Sequence, residues 1–126
     1  MPTPDTAAIS LAGADPEAVD EAVYRVLEAV PPGRVTSYGA VAALLGLSTP
    51  RRPAAAMRRA PDGIPWWRMI RSDGTLPPTL LARAKVHWEA EGTPHRAEGA
   101  LRGAFWSPDP GEEAALSARI AEVLAL

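Results

Sequence analysis

Ser37-Tyr38-Gly39-Ala40-Val41-Ala42-Ala43-Leu44-Leu45-Gly46-Leu47-Ser48-Thr49-Pro50-Arg51-Arg52-Pro53-Ala54-Ala55-Ala56-Met57-Arg58-Arg59 is the stretch whose reading decides the fold. Ser37 is a good helix N-cap. Val41, Leu44 and Leu45 give the residues after it an apolar side, and Gly46 suits the C-terminal end of that helix. Leu47-Ser48-Thr49-Pro50 is a tight turn, and a basic helix is expected around Pro53–Ala60. Two short helices joined by such a turn form a helix-turn-helix pattern. Proline disfavours helical backbone in the residue before it. The second helix is therefore expected to start at Pro53 or to have a distorted first turn.

Working outward, residues 1–14 are rich in Pro, Thr and Ala, without periodicity, and are expected to be disordered. Asp15-Pro16-Glu17 reads as N-cap, first helical residue and favourable first-turn charge. Val19, Val23, Val26, Leu27 and Val30 follow at helical spacing until Pro31-Pro32-Gly33 stops the helix. On the other side, Pro61-Asp62-Gly63 breaks the pattern and Ile64–Arg71 reads as extended. Asp73-Gly74 is a hairpin-type turn. A helix is expected over Leu80–Glu91, closed by Gly92. Residues 93–108 are irregular or wing-like, and Asp109-Pro110 opens a last amphipathic helix. The fold class is mainly α: a winged-helix-like helix-turn-helix DNA-binding domain with a small β hairpin. It divides into a disordered segment (1–14), the domain (15–108) and a C-terminal helical extension (109–126).

Composition excludes several chemistries. The 126 residues include no cysteine and two histidines. Disulfides, thiolate nucleophiles and thiolate metal sites are ruled out, and no metal or cofactor is expected. No apolar run has the length of a membrane span. Met1-Pro2-Thr3-Pro4-Asp5 lacks the basic and apolar regions of a signal peptide. The expected location is cytoplasmic, nucleoid-associated when the protein is bound to DNA, and the expected state is monomeric.

The net charge of −2 hides an uneven distribution. Residues 1–33 carry −5, residues 34–85 carry +7 and residues 86–126 carry −4. A basic middle between acidic ends is the pattern of a polyanion-binding face. If that face meets phosphates, affinity should fall steeply with salt.

Three motifs stand in order. They are Pro32-Gly33-Arg34-Val35-Thr36-Ser37-Tyr38-Gly39-Ala40-Val41-Ala42, then Arg51-Arg52 before Ala54-Ala55-Ala56-Met57-Arg58, then Ile64-Pro65-Trp66-Trp67-Arg68-Met69-Ile70-Arg71-Ser72-Asp73-Gly74. A helix ending Glu91-Gly92 follows. From Val19 to Pro108 the chain resembles the C-terminal DNA-binding domain of the O6-alkylguanine-DNA alkyltransferases. It is most similar to their non-enzymatic relatives, the alkyltransferase-like proteins. In the enzymes the third motif reads Pro-Cys-His-Arg and the cysteine accepts the alkyl group; here it reads Pro65-Trp66-Trp67-Arg68.

The resemblance implies a protein that rotates O6-alkylguanine out of double-stranded DNA, at a cost of a few kcal/mol, and holds it without alkyl transfer. Its partners would then be nucleotide excision repair proteins. Tyr38 matches the tyrosine that helps rotate the phosphate, beside Ser37 at the start of a helix, where backbone N–H groups favour phosphate. The intercalating arginine is Arg52 by its spacing from Tyr38, or Arg51 counting back from Ala56-Met57-Arg58. Ala54, Ala55 and Ala56 would let the helix enter a minor groove only about 6 Å wide. Arg58 and Arg59 would reach phosphates. Tyr38, Met57, Trp66, Trp67 and Arg68 would form the lesion pocket, with Trp66 at the acceptor position. Trp67 alternatively reads as a core aromatic. Glu91 matches the glutamate that bonds the enzymes' histidine; with Trp67 there, it is expected to be a solvated acid.

Thr75–Leu80, the matching lesion-binding loop, lacks Arg, Lys and Gly. Two other readings are open. A winged helix-turn-helix transcriptional regulator would read the major groove as a dimer, against which the alanine face counts. An enzyme using His87 and Glu91, four residues apart on one helix face, would need that pair to share a proton.

Overall fold

The computed structural model describes residues 9–125. Helix α1 (Pro16–Ala29) opens as its sequence dictates: the Asp15 side chain accepts from the Ala18 N–H at 2.9 Å. Its apolar stripe, Val19, Val23, Val26 and Leu27, is buried. Strand β1 (Thr36–Ser37) leads directly into α2 (Tyr38–Leu44), where the Ser37 hydroxyl accepts from the Ala40 N–H at 3.1 Å. Gly46, just past α2, takes a positive φ of 68°.

Helix α3 spans Arg51–Arg58, two residues earlier than expected. Pro53 falls in the first turn, where no intrahelical N–H donor is needed. The Ala54 N–H then bonds the Pro50 carbonyl at 3.1 Å, so the first turn holds. Residues 64–71 are not simply extended. Trp66–Arg68 make one turn of 3-10 helix before the two-residue strand β2 (Met69–Ile70). β2 pairs parallel to β1, Thr36 opposite Met69 and Ser37 opposite Ile70. This pairing brings the Trp66 turn beside the start of α2.

The hairpin is real but lies elsewhere. Asp73-Gly74 forms an isolated tight turn, while β3 (His95–Arg96) and β4 (Gly99–Ala100) form the antiparallel wing. The wing docks on that turn: the Ala100 N–H bonds the Gly74 carbonyl at 2.9 Å, a Cβ on Gly74 would collide with the Ala100 backbone, and one on Gly99 with the Gly74 backbone. Helix α4 spans Pro78–Glu91 and ends at left-handed Gly92. Helix α5 (Pro110–Leu124) begins with a reciprocal capping box between Asp109 and Glu112.

Two apolar clusters result. The larger joins α1, α2, α3 and α5. The smaller sits under α4 and gathers Val35, Ile70, Leu76, Ala84, Trp88 and Ala104. Two expectations about the ends need correction. Residues 1–8 of the supposedly disordered segment lie outside the described residues, but Ile9 and Leu11 are buried in the larger cluster. Helix α5 is likewise part of that core, through Leu116 and Ile120, rather than an appendage to it. Among the described residues no helix is long and apolar enough to cross a membrane.

Candidate nucleic-acid interface

Where the two clusters meet, a cavity of about 220 Å³ opens. Tyr38 enters from α2, Met57 from α3, Trp66 from the 3-10 turn, Met69 from β2, and Leu76, Leu80 and Arg83 from α4 and the loop before it. Three of the five expected pocket residues, Tyr38, Met57 and Trp66, therefore meet around one space. Its walls are apolar and aromatic, with one phenol and one guanidinium, the composition of a site for a flat, mostly apolar group. A groove of about 310 Å³ between α1 and α5 shares no residue with it.

Burial pushes the Tyr38 phenol above its ordinary pKa, and the nearby Arg71 and Arg58 pull it partly back. Tyr38 therefore remains a neutral donor at physiological pH. Arg83 lies over the Trp66 ring, 5.3 Å from its centroid, within cation–π range. Sequence reasoning counted Arg71 and Arg83 only within the basic middle, residues 34–85, and missed their place at this site. The available signal was the i, i+3 spacing of Leu80 and Arg83, which share a helix face.

Trp67 and Arg68 do not line the cavity, which corrects the pocket assignment for both; Trp67 packs against the smaller cluster, as its other reading, a core aromatic, expects. The 3-10 turn sends them to the opposite side, onto Glu91. The carboxylate accepts from Trp67 Nε1 at 3.0 Å, from Arg68 Nη2 at 2.6 Å and Nε at 3.1 Å, and from the Gly33 N–H at 3.2 Å. Arg68 Nη1 also donates to the Val30 carbonyl at 3.0 Å. Burial pushes the Glu91 carboxyl up, but the Arg68, Trp67 and Gly33 donors outweigh it and hold the pKa below the ordinary value. Glu91 is thus a hub joining α1's end, the tryptophan turn and α4, not a solvated acid.

His87 makes no bond to Glu91 in this arrangement. Its ring stacks on Trp67, centroids 3.7 Å apart and planes 5° apart, and meets Trp66 edge-on at 5.8 Å. The proton-sharing pair read from the sequence is not formed. Trp67 belongs to a half-buried aromatic stack, with Trp88 Nε1 donating to its carbonyl at 2.8 Å.

Along α3 the predicted contact residues divide. Arg59 forks the Asp20 carboxylate with two bonds of 2.8 Å. Arg52 is also turned inward and donates to main-chain carbonyls before α1. Arg51 and Arg58 are exposed, with no side-chain hydrogen bond or salt bridge among the described residues. Ala56 is buried and its carbonyl accepts from the Tyr24 hydroxyl at 2.7 Å, while Ala54 and Ala55 are half-buried. Ser37 is buried as the α2 cap, so its hydroxyl orients Tyr38 rather than facing outward.

Residues 18–93 match the family described as 6-O-methylguanine DNA methyltransferase, DNA binding domain. The chain belongs to this family. Its relatives place it among the alkyltransferase-like proteins. It is 34% identical over 93 residues to the DNA base-flipping protein of Vibrio parahaemolyticus serotype O3:K6 (strain AQ3810), covering 68% of this chain and 93% of that one. It is 37% identical over 57 residues to the DNA base-flipping protein of Escherichia coli (strain K12), covering 43% of this chain and 44% of the relative. Among solved structures it is similar to S. pombe Atl1 in complex with damaged DNA containing O6-carboxymethylguanine, at 27% identity and a TM-score of 0.64, over 73% of this chain and 97% of that one. A second complex, S. pombe ATL with DNA, gives a TM-score of 0.62 at the same identity and coverage. In this alkyltransferase-like chain the cavity, the exposed arginines and the Glu91 hub all fall within the matched span. Residues 9–14 and α5 lie outside it.

Proposed function

We propose that this protein recognises alkylation damage by binding duplex DNA through the minor groove along α3, rotating O6-alkylguanine into the Tyr38–Met57–Trp66 cavity and holding it there unrepaired. The observation that carries this reading is the aromatic cavity beside α3 in a chain with no cysteine to accept an alkyl group. Trp66 stands at the acceptor position; an indole walls the pocket but is no nucleophile at neutral pH. A held, unrepaired base then marks the site for nucleotide excision repair. The protein acts as a monomer.

Placement supports a role for each residue. Arg51 enters the duplex and fills the space left by the rotated base, because Arg52 is committed to its own chain. Tyr38, a neutral donor at the start of α2, handles the rotated phosphate. Arg58 and Arg71 neutralise phosphates at the rim. Arg83, at the cavity wall, faces the alkyl-bearing edge. The small side chains Ala54 and Ala55 let the α3 backbone approach the groove and offer no base-reading group, which favours this reading over a major-groove regulator.

The test is affinity for two duplexes that differ by one O6-methyl group, at fixed salt. Tighter binding of the modified duplex is expected, with no methyl transfer to the protein. Equal affinity would remove the sensor reading, and turnover of the methylated strand would make the protein an enzyme.

A further inference from the structure

Arg52, next to the arginine proposed to enter DNA, is bound to the protein's own backbone. Its Nη1 donates to the carbonyls of Leu11 and Ala12 at 3.4 and 3.2 Å, and its Nη2 to that of Ala14 at 2.6 Å. The segment Ile9–Ala14 is a strap across the helix-turn-helix. The N–H of the same Leu11 bonds the Leu45 carbonyl at 2.9 Å, and the Ile9 and Leu11 side chains are buried. Ser10 lies so close to Gly46 that a Cβ there would come within 2.8 Å of Ser10 Cα. Leu45 and Gly46 end α2, and Arg52 lies in the first turn of α3. The strap therefore grips both sides of the turn between the two helices.

That turn has few ties of its own. Ser48, Thr49 and Pro50 are exposed, the N-cap residue Pro50 has no side-chain bond to offer, and the side-chain tie at the start of α3 is the exposed one from the Arg51 N–H to the Thr49 hydroxyl at 3.2 Å. A finger driven into a base stack meets an opposing load of a few kcal/mol, and the load is carried at the start of α3. A loose turn would yield to it.

We propose that Arg52 is a positioning residue: with the strap Ile9–Ala14 it locks the α2–α3 turn, so that Arg51 leaves α3 in the one orientation that displaces a base. This rests on the reading of Arg51 as the entering arginine. The strap lies outside the matched family span.

The experiment uses full-length protein and a duplex with 2-aminopurine beside O6-methylguanine. The fluorescence plateau at saturating protein reports unstacking separately from affinity. Wild type is expected to raise the plateau and Arg51→Ala to abolish the rise, which tests the underlying reading. Arg52→Ala and Arg52→Lys are both expected to cut the plateau about tenfold, as when the competent turn is populated a tenth of the time. Affinity for unmodified duplex should stay unchanged. Lysine should not rescue, because an ammonium cannot fork across three carbonyls as a guanidinium does. All measurements are made where circular dichroism shows each variant folded.

Wild-type plateaus in both Arg52 variants would overturn the proposal. So would rescue by lysine, which would make Arg52 a charge contact. A plateau surviving Arg51→Ala but lost in Arg52→Lys would make Arg52 the finger and overturn both readings.

Discussion

Two sets of arginines divide the molecule. Facing α1, the strap and α4, Arg52, Arg59 and Arg68 are bound to the protein's own acceptors: three carbonyls, Asp20 and Glu91. Around the cavity and along the exposed side of α3, Arg51, Arg58, Arg71 and Arg83 have no carboxylate partner among the described residues. The division follows helix geometry. Arg51 and Arg58 are seven residues apart and share one side of α3; Arg52 and Arg59 share the next. An arginine already paired stabilises the fold and brings little positive field to a phosphate. An unpaired one supplies the field that attracts DNA. The charge count of the basic middle is thus larger than the charge available for binding.

The largest expected effect breaks the inward set. Glu91→Gln removes the charge that Arg68 is built around, and both side chains are mostly buried. Leaving Arg68 without its counter-charge should cost about 3 kcal/mol, the scale for a broken buried pair, read as a shift in the urea midpoint. The pH dependence sharpens this. The folded pKa of Glu91 is depressed, so its contribution is present above the unfolded value and is lost as pH falls through the folded one. Acid unfolding between the ordinary glutamate range and lower pH should therefore be shallower in Glu91→Gln than in wild type.

An intermediate effect breaks the outward set. Arg51→Ala should leave the unfolding midpoint unchanged and weaken binding of the O6-methylguanine duplex by about tenfold to a hundredfold, as expected for one lost charged anchor. Loss of stability without loss of lesion affinity would place Arg51 on the wrong side of the division.

The smallest effect compares neighbours on α3. Arg58→Ala should lower the slope of log affinity against log salt by about 1 and leave stability alone. Arg59→Ala should do the reverse, lowering stability slightly and leaving the slope unchanged. Equal salt slopes in the two variants would erase the distinction between the sets.

Much of this was legible in the residues. The caps at Asp15, Ser37 and Asp109 and the stops at Gly46 and Gly92 act over three or four residues, and all appear where the sequence places them. The meeting of Tyr38, Met57 and Trp66 was readable through the resemblance. The wing falls within the stretch 93–108 that reads as wing-like; the hairpin was misplaced because Asp73-Gly74 has turn chemistry but no strands long enough to pair around it. Trp67 and Arg68 were misassigned because an extended reading of 64–71 gives no means of turning adjacent side chains to opposite sides, which one turn of 3-10 helix does. Residues 9–14 read as disordered because two apolar side chains are too few to show a period, yet both fit the core.

The sequence by itself determined the helices, the turn between α2 and α3, and the absence of a thiol nucleophile, since each depends on residue identity or on neighbours a few positions away. Only the tertiary structure decided which arginines are free to meet DNA. That choice depends on acceptors 23 to 41 residues distant, Glu91 for Arg68, Asp20 for Arg59 and the strap carbonyls for Arg52. It also depends on a rotation of one residue around α3. Local pattern encodes neither.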